Sequence, residues 1–193
     1  MQNFRKGFTL IELLIVIGIL AVLSSVVVII LNPGELLAEG RDSRRISDLN
    51  TIRAALMGYL TQVPNADLGS CNSGGICTFN PGAGKGPFTN TTCSSISAAT
   101  NITGSGWVDV NFASIPSGSP IPSLPIDPIN NANYFYAYAC TKTPYFFELN
   151  TRLESQKYRN EMVLDGGNKN NCDSSYTADT CFYEIGTKPD LNI

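Results

Sequence analysis

The stretch KGFTLIELLIVIGIL, Lys6 to Leu20, places one carboxylate, Glu12, in a sequence that is otherwise almost entirely hydrocarbon. From Phe8 to Leu31, Glu12 is the only charged residue. A helix over this span, rising ~1.5 Å per residue, would be roughly 36 Å long and would cross a bilayer core of about 30 Å. The span therefore predicts a transmembrane helix. A carboxylate in such a helix is costly to insert, which indicates that Glu12 has a partner.

The charges ahead of the apolar span predict its orientation. Only Arg5 and Lys6 are charged there, so the positive-inside tendency predicts a single-pass membrane protein with a cytoplasmic N-terminus and an exported chain beyond Leu31. A secretory signal peptide also has a basic start and an apolar core. That alternative fits poorly, because the span exceeds the usual h-region and no small-x-small cleavage site precedes Pro33.

A short basic leader ends in Gly7 and is followed by FTLIE, residues 8–12. This string resembles the prepilin processing motif of the type IV pilin superfamily, which includes pilus subunits, type II secretion pseudopilins and competence pilins. The resemblance implies cleavage between Gly7 and Phe8 by a prepilin peptidase and N-methyltransferase, followed by N-methylation of Phe8. It also implies that Glu12 pairs with the terminal amine of Phe8 in a neighbouring copy.

Simple electrostatics agrees with a pairing role for Glu12. Opposite charges ~4 Å apart attract by about 1 kcal/mol in water and by several kcal/mol at an effective dielectric near 20. A buried pair adds little net stability, while an unpaired partner is expensive, so the pair would chiefly fix the register between copies. The alternative is that Glu12 merely reaches the lipid headgroups.

The composition gives no support for catalysis or for nucleic-acid binding. The chain has 13 Lys plus Arg against 16 Asp plus Glu, a net charge of −3, and no histidine. It therefore lacks a basic surface for nucleic acid, a histidine general base, and both the Gly-x-Ser-x-Gly and phosphate-loop motifs. We expect a substrate of processing enzymes and not an enzyme.

The cysteines all lie beyond the apolar span, at Cys71, Cys77, Cys93, Cys140, Cys172 and Cys181. An even number on the exported side predicts up to three disulfides, and the lack of histidine and of a C-x-x-C pair disfavours zinc. Many pairings are possible. We expect Cys71 with Cys77 and Cys172 with Cys181, since each pair closes a short polar loop, and this leaves Cys93 for Cys140. The family resemblance also favours a C-terminal disulfide.

A kink is expected at Pro33 and Gly34, because proline removes a helix hydrogen bond and clashes with the preceding turn. Residues 32–61 then show a helical period, which predicts an amphipathic continuation of the helix. Its apolar stripe comprises Ile46, Leu49, Ile52 or Arg53, Leu56, and Tyr59 or Leu60. The charges elsewhere on the wheel are Arg41, Asp42, Arg44, Arg45, Asp48 and Arg53. We expect the charges before Ser47 to form a solvated face or, in a filament, to pair between subunits.

The rest of the chain is expected to form the globular head, residues 62–193. The resemblance implies an α+β pilin-like fold, in which one long N-terminal helix packs on a small antiparallel sheet. Residues 62–133 read as a loop-rich region punctuated by CNSGGIC, NPGAGKG and IPSGSPIPSLP. Within it, Trp107 to Phe112 alternates and is either one short strand or loop.

The sheet is expected within residues 134–193. LPIDPINNANYFYAYAC, Leu124 to Cys140, resembles a segment of major pseudopilins and some pilins in which a turn precedes an aromatic strand. Strands are predicted at 134–140, 145–150 and 181–185, forming a three-stranded antiparallel sheet. The aromatic side chains are expected to serve core and cross-strand packing, with a ligand-stacking face as the alternative.

Calcium is the one cofactor hypothesis, since major pseudopilins bind calcium near the C-terminus. The oxygen ligands available in that region are Asp165, Asn168, Asn170, Asn171, Asp173 and Asp179. DGGNKNN does not match EF-hand spacing, and such clusters also form plain turns. Otherwise no cofactor is expected.

Together these features favour a pilin: a leader, residues 1–7, a transmembrane and filament-core helix, 8–31, an amphipathic continuation, and a disulfide-stapled head. Its expected partners are copies of itself and related pilins, the processing enzyme, an inner-membrane assembly platform and the membrane before assembly. Its expected destination is an extracellular pilus or a periplasmic pseudopilus. The alternatives are a major pseudopilin of type II secretion and a membrane-anchored binding domain that never polymerises.

Overall fold

The computed structural model describes residues 7–71, 74–82, 86–88, 93–172 and 180–188. The chain divides between Leu37 and Ala38 into two compact units. The first contains helix α1, Leu10–Leu31, and the first turn of helix α2, Pro33–Gln62. The second contains the rest of α2 and the head.

The break between the two helices lies at Asn32. Asn32 adopts a left-handed conformation with φ of 40° and caps the C-terminus of α1. Pro33 is the first residue of α2, a position that suits proline because its missing N–H has no helical partner there. The backbone N–H groups of Glu35 and Leu36 donate to the carbonyl oxygen of Asn32. The predicted kink is therefore a full interruption of the helix.

Helix α2 buries the predicted stripe, since Leu49, Ile52, Leu56 and Tyr59 all lie in the core of the head. The expectation of a wholly solvated charged face is wrong. Asp42 and Arg45 are fully buried in the second unit, because carboxylates from later in the chain surround Arg45.

The head contains a five-stranded sheet in the order β2-β1-β3-β4-β5. The strands are β1 Ile76–Cys77, β2 Ser95–Ile96, β3 Ala137–Lys142, β4 Tyr145–Thr151 and β5 Tyr183–Gly186. A short helix, α3 Glu161–Leu164, packs near β5. The β1–β2 pair is parallel and the other pairs are antiparallel, so the sheet is mixed. The expectation of a wholly antiparallel sheet of three strands is therefore wrong.

The observed strands differ from the predicted ones in number and in bounds. Strands β1 and β2 lie in the segment that was predicted to be loop. They were not predicted because a strand of two residues shows no periodic pattern. Strand β3 begins at Ala137 and not at Tyr134, because Asn131 and Tyr134 close a turn through Asn131 N–H to the Tyr134 carbonyl. Strand β5 covers Tyr183–Gly186 instead of 181–185.

The aromatic segment alternates between two cores, as its sequence indicates. Tyr136 and Tyr138 pack with α2 and Trp107 in the larger core, while Phe135, Ala137 and Ala139 face a smaller one. Both sets are buried, which agrees with core packing.

The segment 107–112 is loop, the second of the two expectations. It makes one isolated bridge, Thr103 to Asn111, and runs into a 3₁₀ turn, Phe112–Ser114. Trp107 is fully buried and its indole N–H donates to the carbonyl oxygen of Pro125 at 2.8 Å. Adjacent residues in this loop, such as Trp107 and Val108, are both buried. The alternation in the sequence therefore does not correspond to one buried and one exposed face of a strand.

The disulfides are Cys71–Cys140, Cys77–Cys93 and Cys172–Cys181. The third pair is as expected, but the expected pairs Cys71–Cys77 and Cys93–Cys140 are wrong. Cys77 lies on β1, beside the short strand β2 that follows Cys93, and Cys140 lies on β3. Strand pairing therefore accounts for the meeting of Cys77 and Cys93, which loop length alone did not predict.

Candidate functional site

The N-terminus of α1 holds Glu12 in a capping box with Thr9. The Glu12 carboxylate accepts hydrogen bonds from the Thr9 backbone N–H at 2.8 Å and from the Thr9 hydroxyl at 2.7 Å. In return, the Glu12 backbone N–H donates to the Thr9 hydroxyl oxygen at 3.3 Å. This reciprocal arrangement satisfies donors that have no partner within the helix. Glu12 therefore has a partner within its own chain.

The residues around the predicted cleavage point precede the helix. Gly7 and Phe8 are exposed, with Phe8 at 87%, and Thr9 is extended at φ −82° and ψ 153°. The bond between Gly7 and Phe8 thus lies outside regular secondary structure, the conformation in which a peptidase reaches a backbone bond.

The surface of α1 is apolar through most of its length. Leu10–Val27 is long and apolar enough to cross a membrane, and none of it is buried in the structure. Its hydroxyl groups are satisfied internally, since Ser24 donates to the Leu20 carbonyl and Ser25 to the Val22 carbonyl. A shallow groove centred on Gly18 is lined by Leu14, Ile15, Gly18, Ile19, Val22 and Leu23.

Residues 2–28 match the family model described as the prokaryotic N-terminal methylation motif. The chain carries the prepilin-type motif of type IV pilins and pseudopilins. Comparison with curated proteins and with solved structures gave no match. The motif and the apolar helix support membrane anchoring of this pilin-like chain before assembly.

The second unit contains a buried ion cluster around Arg45 of helix α2. Its guanidinium donates to both carboxylate oxygens of Asp127, at 2.6 and 3.1 Å, to Asp42 at 2.8 Å and to Glu154 at 2.7 Å. It also lies 4.8 Å from the ring centre of Tyr134. Such forked contacts suit arginine and not lysine. Arg45 therefore joins α2 to the segments around Asp127 and Glu154.

Backbone groups anchor the carboxylates of this cluster. Asp42 accepts from the N–H groups of Glu154 and Ser155, and Asp127 accepts from those of Ile129 and Asn130. The cluster thereby holds two segments against helix α2: the segment before β3, which contains Asp127, and the segment after β4, which contains Glu154.

The carboxylate of Glu154 also receives a forked contact from Arg41, at 2.6 and 2.9 Å. Burial raises the pKa of Glu154, but the hydrogen bonds from Arg41 and Arg45 outweigh burial and hold that pKa below its usual value. Glu154 is therefore ionised at neutral pH and acts as the anion between two arginines.

The calcium site stays a prediction, since only part of its candidate set lies within the described residues. Asp165 uses one carboxylate oxygen to accept from Gly167 N–H and the other to accept from Glu184 N–H. Asn170 donates to the Gly167 carbonyl, and Asp173 and Asp179 lie outside the described residues. Across the described ranges, no three Cys, Asp or Glu side chains group closely enough to hold a metal ion.

Sequence reasoning missed two functional contacts. The first is the contact between Thr9 and Glu12. Its signal in the sequence is the spacing T-x-x-E ahead of an apolar run, which is typical of a capping box. The convergence of Asp127 and Glu154 on Arg45 joins residues 82 and 109 positions apart, and no local pattern indicates such a contact.

Proposed function

We propose that this protein is a structural subunit of a type IV pilus-like filament. It is made as a membrane-held precursor, trimmed between Gly7 and Phe8 and N-methylated at Phe8. It then assembles through α1, which becomes the core of the filament. A repeated contact that does not close on itself generates such a helical fibre.

The main support is the exposed apolar surface of α1. Its large side chains are about half exposed or more along the helix, from Leu10 to Val27. Exposing so long an apolar helix to water is unfavourable. Helix α1 therefore requires lipid around it before assembly and other apolar helices around it in the filament. The groove at Gly18 offers a place where a second helix can approach closely, as small residues allow in apolar surroundings.

Glu12 sets the register in this proposal. Before cleavage its carboxylate is held by Thr9, and cleavage creates a cationic amine on Phe8 of each subunit. Transfer of the carboxylate to a neighbouring amine exchanges a neutral donor for a charged one, which strengthens the contact. The pair forms only when the two helices are correctly aligned.

The proposal includes the partners and the location expected of such a subunit. A prepilin peptidase and N-methyltransferase processes it, and an inner-membrane assembly platform extracts it. Before assembly its N-terminus lies in the cytoplasm, and afterwards the head is outside the membrane, in an extracellular pilus or a periplasmic pseudopilus. A secretion pseudopilin carries the same motif and is the second candidate.

Shearing of filaments from the native cells tests the proposal. The expected result is that the sheared fraction contains this chain in fibres visible by electron microscopy. A chain found only in the membrane fraction, under conditions in which those cells display fibres, would instead favour an anchored domain. Fibres that appear only on overproduction and stay in the periplasm would favour the pseudopilin.

A further inference from the structure

Two leucines at the start of α2 differ from every later leucine and isoleucine of that helix. Leu36 and Leu37 are 52% and 65% exposed. From Ala38 onward, the leucines and isoleucines of α2 are buried in the larger core or packed against it. Exposure of large apolar side chains to water is unfavourable, so the first turn of α2 has surroundings that differ from those of the rest of the helix.

These leucines belong to the same compact unit as α1. Helix α1 has 22 residues, which gives it a length of about 33 Å at ~1.5 Å per residue. That length matches a hydrocarbon core of about 30 Å, and the headgroup layers bring the whole bilayer to about 40–45 Å. Helix α2 begins at Pro33, directly after Asn32, which caps α1. When α1 crosses the core, the first turn of α2 therefore lies in the headgroup layer.

The first turn of α2 is apolar on one side and charged on the other. Pro33, Leu36 and Leu37 fall within an arc of roughly 100° around the helix axis. Glu35 lies about 150° from the midpoint between the two leucines. A turn divided in this way can bury its apolar side among the upper acyl chains while its carboxylate remains in water.

The backbone at the start of α2 is paired in a way that suits this layer. The N–H groups of Glu35 and Leu36 donate to the Asn32 carbonyl oxygen at 3.0 and 3.3 Å. Pro33 has no N–H group that needs an acceptor. Unpaired backbone groups are costly away from bulk water, so this pairing favours a position at the edge of the hydrocarbon core.

We propose that Leu36 and Leu37 form a lipid-contacting surface that anchors the first turn of α2 in the headgroup layer before assembly. The occupant of this surface is the boundary between lipid headgroups and acyl chains, because the surface directly follows the apolar helix that anchors the chain. The proposal rests on the membrane anchoring of α1 and not on the formation of a filament.

The charges near this turn determine which property of the lipid matters. Glu35 is the first charged residue after Glu12, and the first cation beyond α1 is Arg41. Polybasic segments bind anionic lipids through their charge, and this segment is not polybasic. The contact is therefore hydrophobic, and we expect it in vesicles of neutral phosphatidylcholine and at high salt.

Tryptophan fluorescence in such vesicles tests the contact. The only tryptophan of the chain, Trp107, is fully buried and gives a constant background. Leu36→Trp is prepared in the full chain and reconstituted at a low ratio of protein to lipid. Val27→Trp on α1 is the membrane reference. Met57→Trp is the matched control, because Met57 is 43% exposed and lies near the other end of α2.

Lipids brominated near the headgroup should quench Leu36→Trp to an extent closer to Val27→Trp than to Met57→Trp. The emission of Leu36→Trp should also lie at a shorter wavelength than that of Met57→Trp. Equal quenching of Leu36→Trp and Met57→Trp would overturn the proposal. A blue-shifted Leu36→Trp that no brominated lipid quenches would also overturn it, since another copy of the chain would then cover this surface.

A second measurement uses the wild-type chain and covers the case in which the tryptophan variant does not fold. In nanodiscs, ¹³C-labelled methyl groups of Leu36 and Leu37 should show nuclear Overhauser effects to lipid protons. Leu164, which is 81% exposed on α3, should show them to water only. Contacts with water alone at Leu36 and Leu37 would overturn the proposal. Both measurements use the unassembled chain, so a protein that never forms filaments can still give the expected result.

Discussion

At the scale of single residues, Glu12 carries the argument for assembly. Its carboxylate has an intramolecular partner in Thr9, so membrane insertion does not require a second chain. In the proposed filament, Glu12 would set the register by pairing with the charged amine of a processed neighbour, because an unpaired carboxylate in apolar surroundings is costly.

Glu12→Ala should leave membrane insertion intact and impair filament assembly. Membrane fractionation measures insertion, and the yield of sheared fibres measures assembly. Thr9→Ala is the matched control, since it removes the helix cap but keeps the charge, and it should retain most of the assembly. Normal fibres from the Glu12 variant would contradict the role given to this residue.

Arg45 carries the argument for the stability of the head. Its substitution leaves Asp42 and Asp127 buried without their cation, and breaking such a pair costs about 3–5 kcal/mol. Arg45→Met should therefore lower the free energy of unfolding by that amount in urea titrations of the full chain in detergent.

Arg44→Met provides the comparison on the same helix. Arg44 is exposed and lies 3.6 Å from Asp48, so its loss should cost less than about 1 kcal/mol. Equal losses from the two variants would show that the cluster around Arg45 adds little to stability.

At the scale of elements, the disulfides close loops of very different lengths. Cys71–Cys140 closes a loop with a sequence separation of 69, and Cys172–Cys181 one of 9. Loop-closure entropy assigns about 4 kcal/mol to the first and roughly 2–3 kcal/mol to the second.

Replacing Cys71 and Cys140 by alanine should therefore destabilise the head more than replacing Cys172 and Cys181. Thermal unfolding by circular dichroism of both double variants gives the comparison. A larger destabilisation from the loss of Cys172–Cys181 would contradict this prediction. It would mean that loop-closure entropy of the unfolded chain does not set the contribution of each disulfide.

The elements also mark what the sequence can predict. The long helices, the buried stripe through Leu49 and Leu56, and the alternation around Tyr136 and Tyr138 follow from local periodicity, and the structure agrees with them. The motif at Gly7 to Glu12 is likewise a local string. The two-residue strands, the Cys71–Cys140 pair and the ring of carboxylates at Arg45 depend on contacts between distant segments, which local spacing does not encode.

At the scale of the whole molecule, the two units have different solvent requirements. The second unit, from Ala38 onward, buries most of its large apolar residues in its own two cores. Helix α1 buries nothing across Leu10–Val27. Such a chain completes its folding only when membrane or neighbouring subunits surround α1.

The measurement that tests this account most directly is the mass of the N-terminal peptide of the protein recovered from its native cells. The account predicts a chain that begins at N-methylated Phe8, which would establish prepilin processing after Gly7. A chain that still begins at Met1 would contradict it, since the Phe8 amine that Glu12 is proposed to meet would never form.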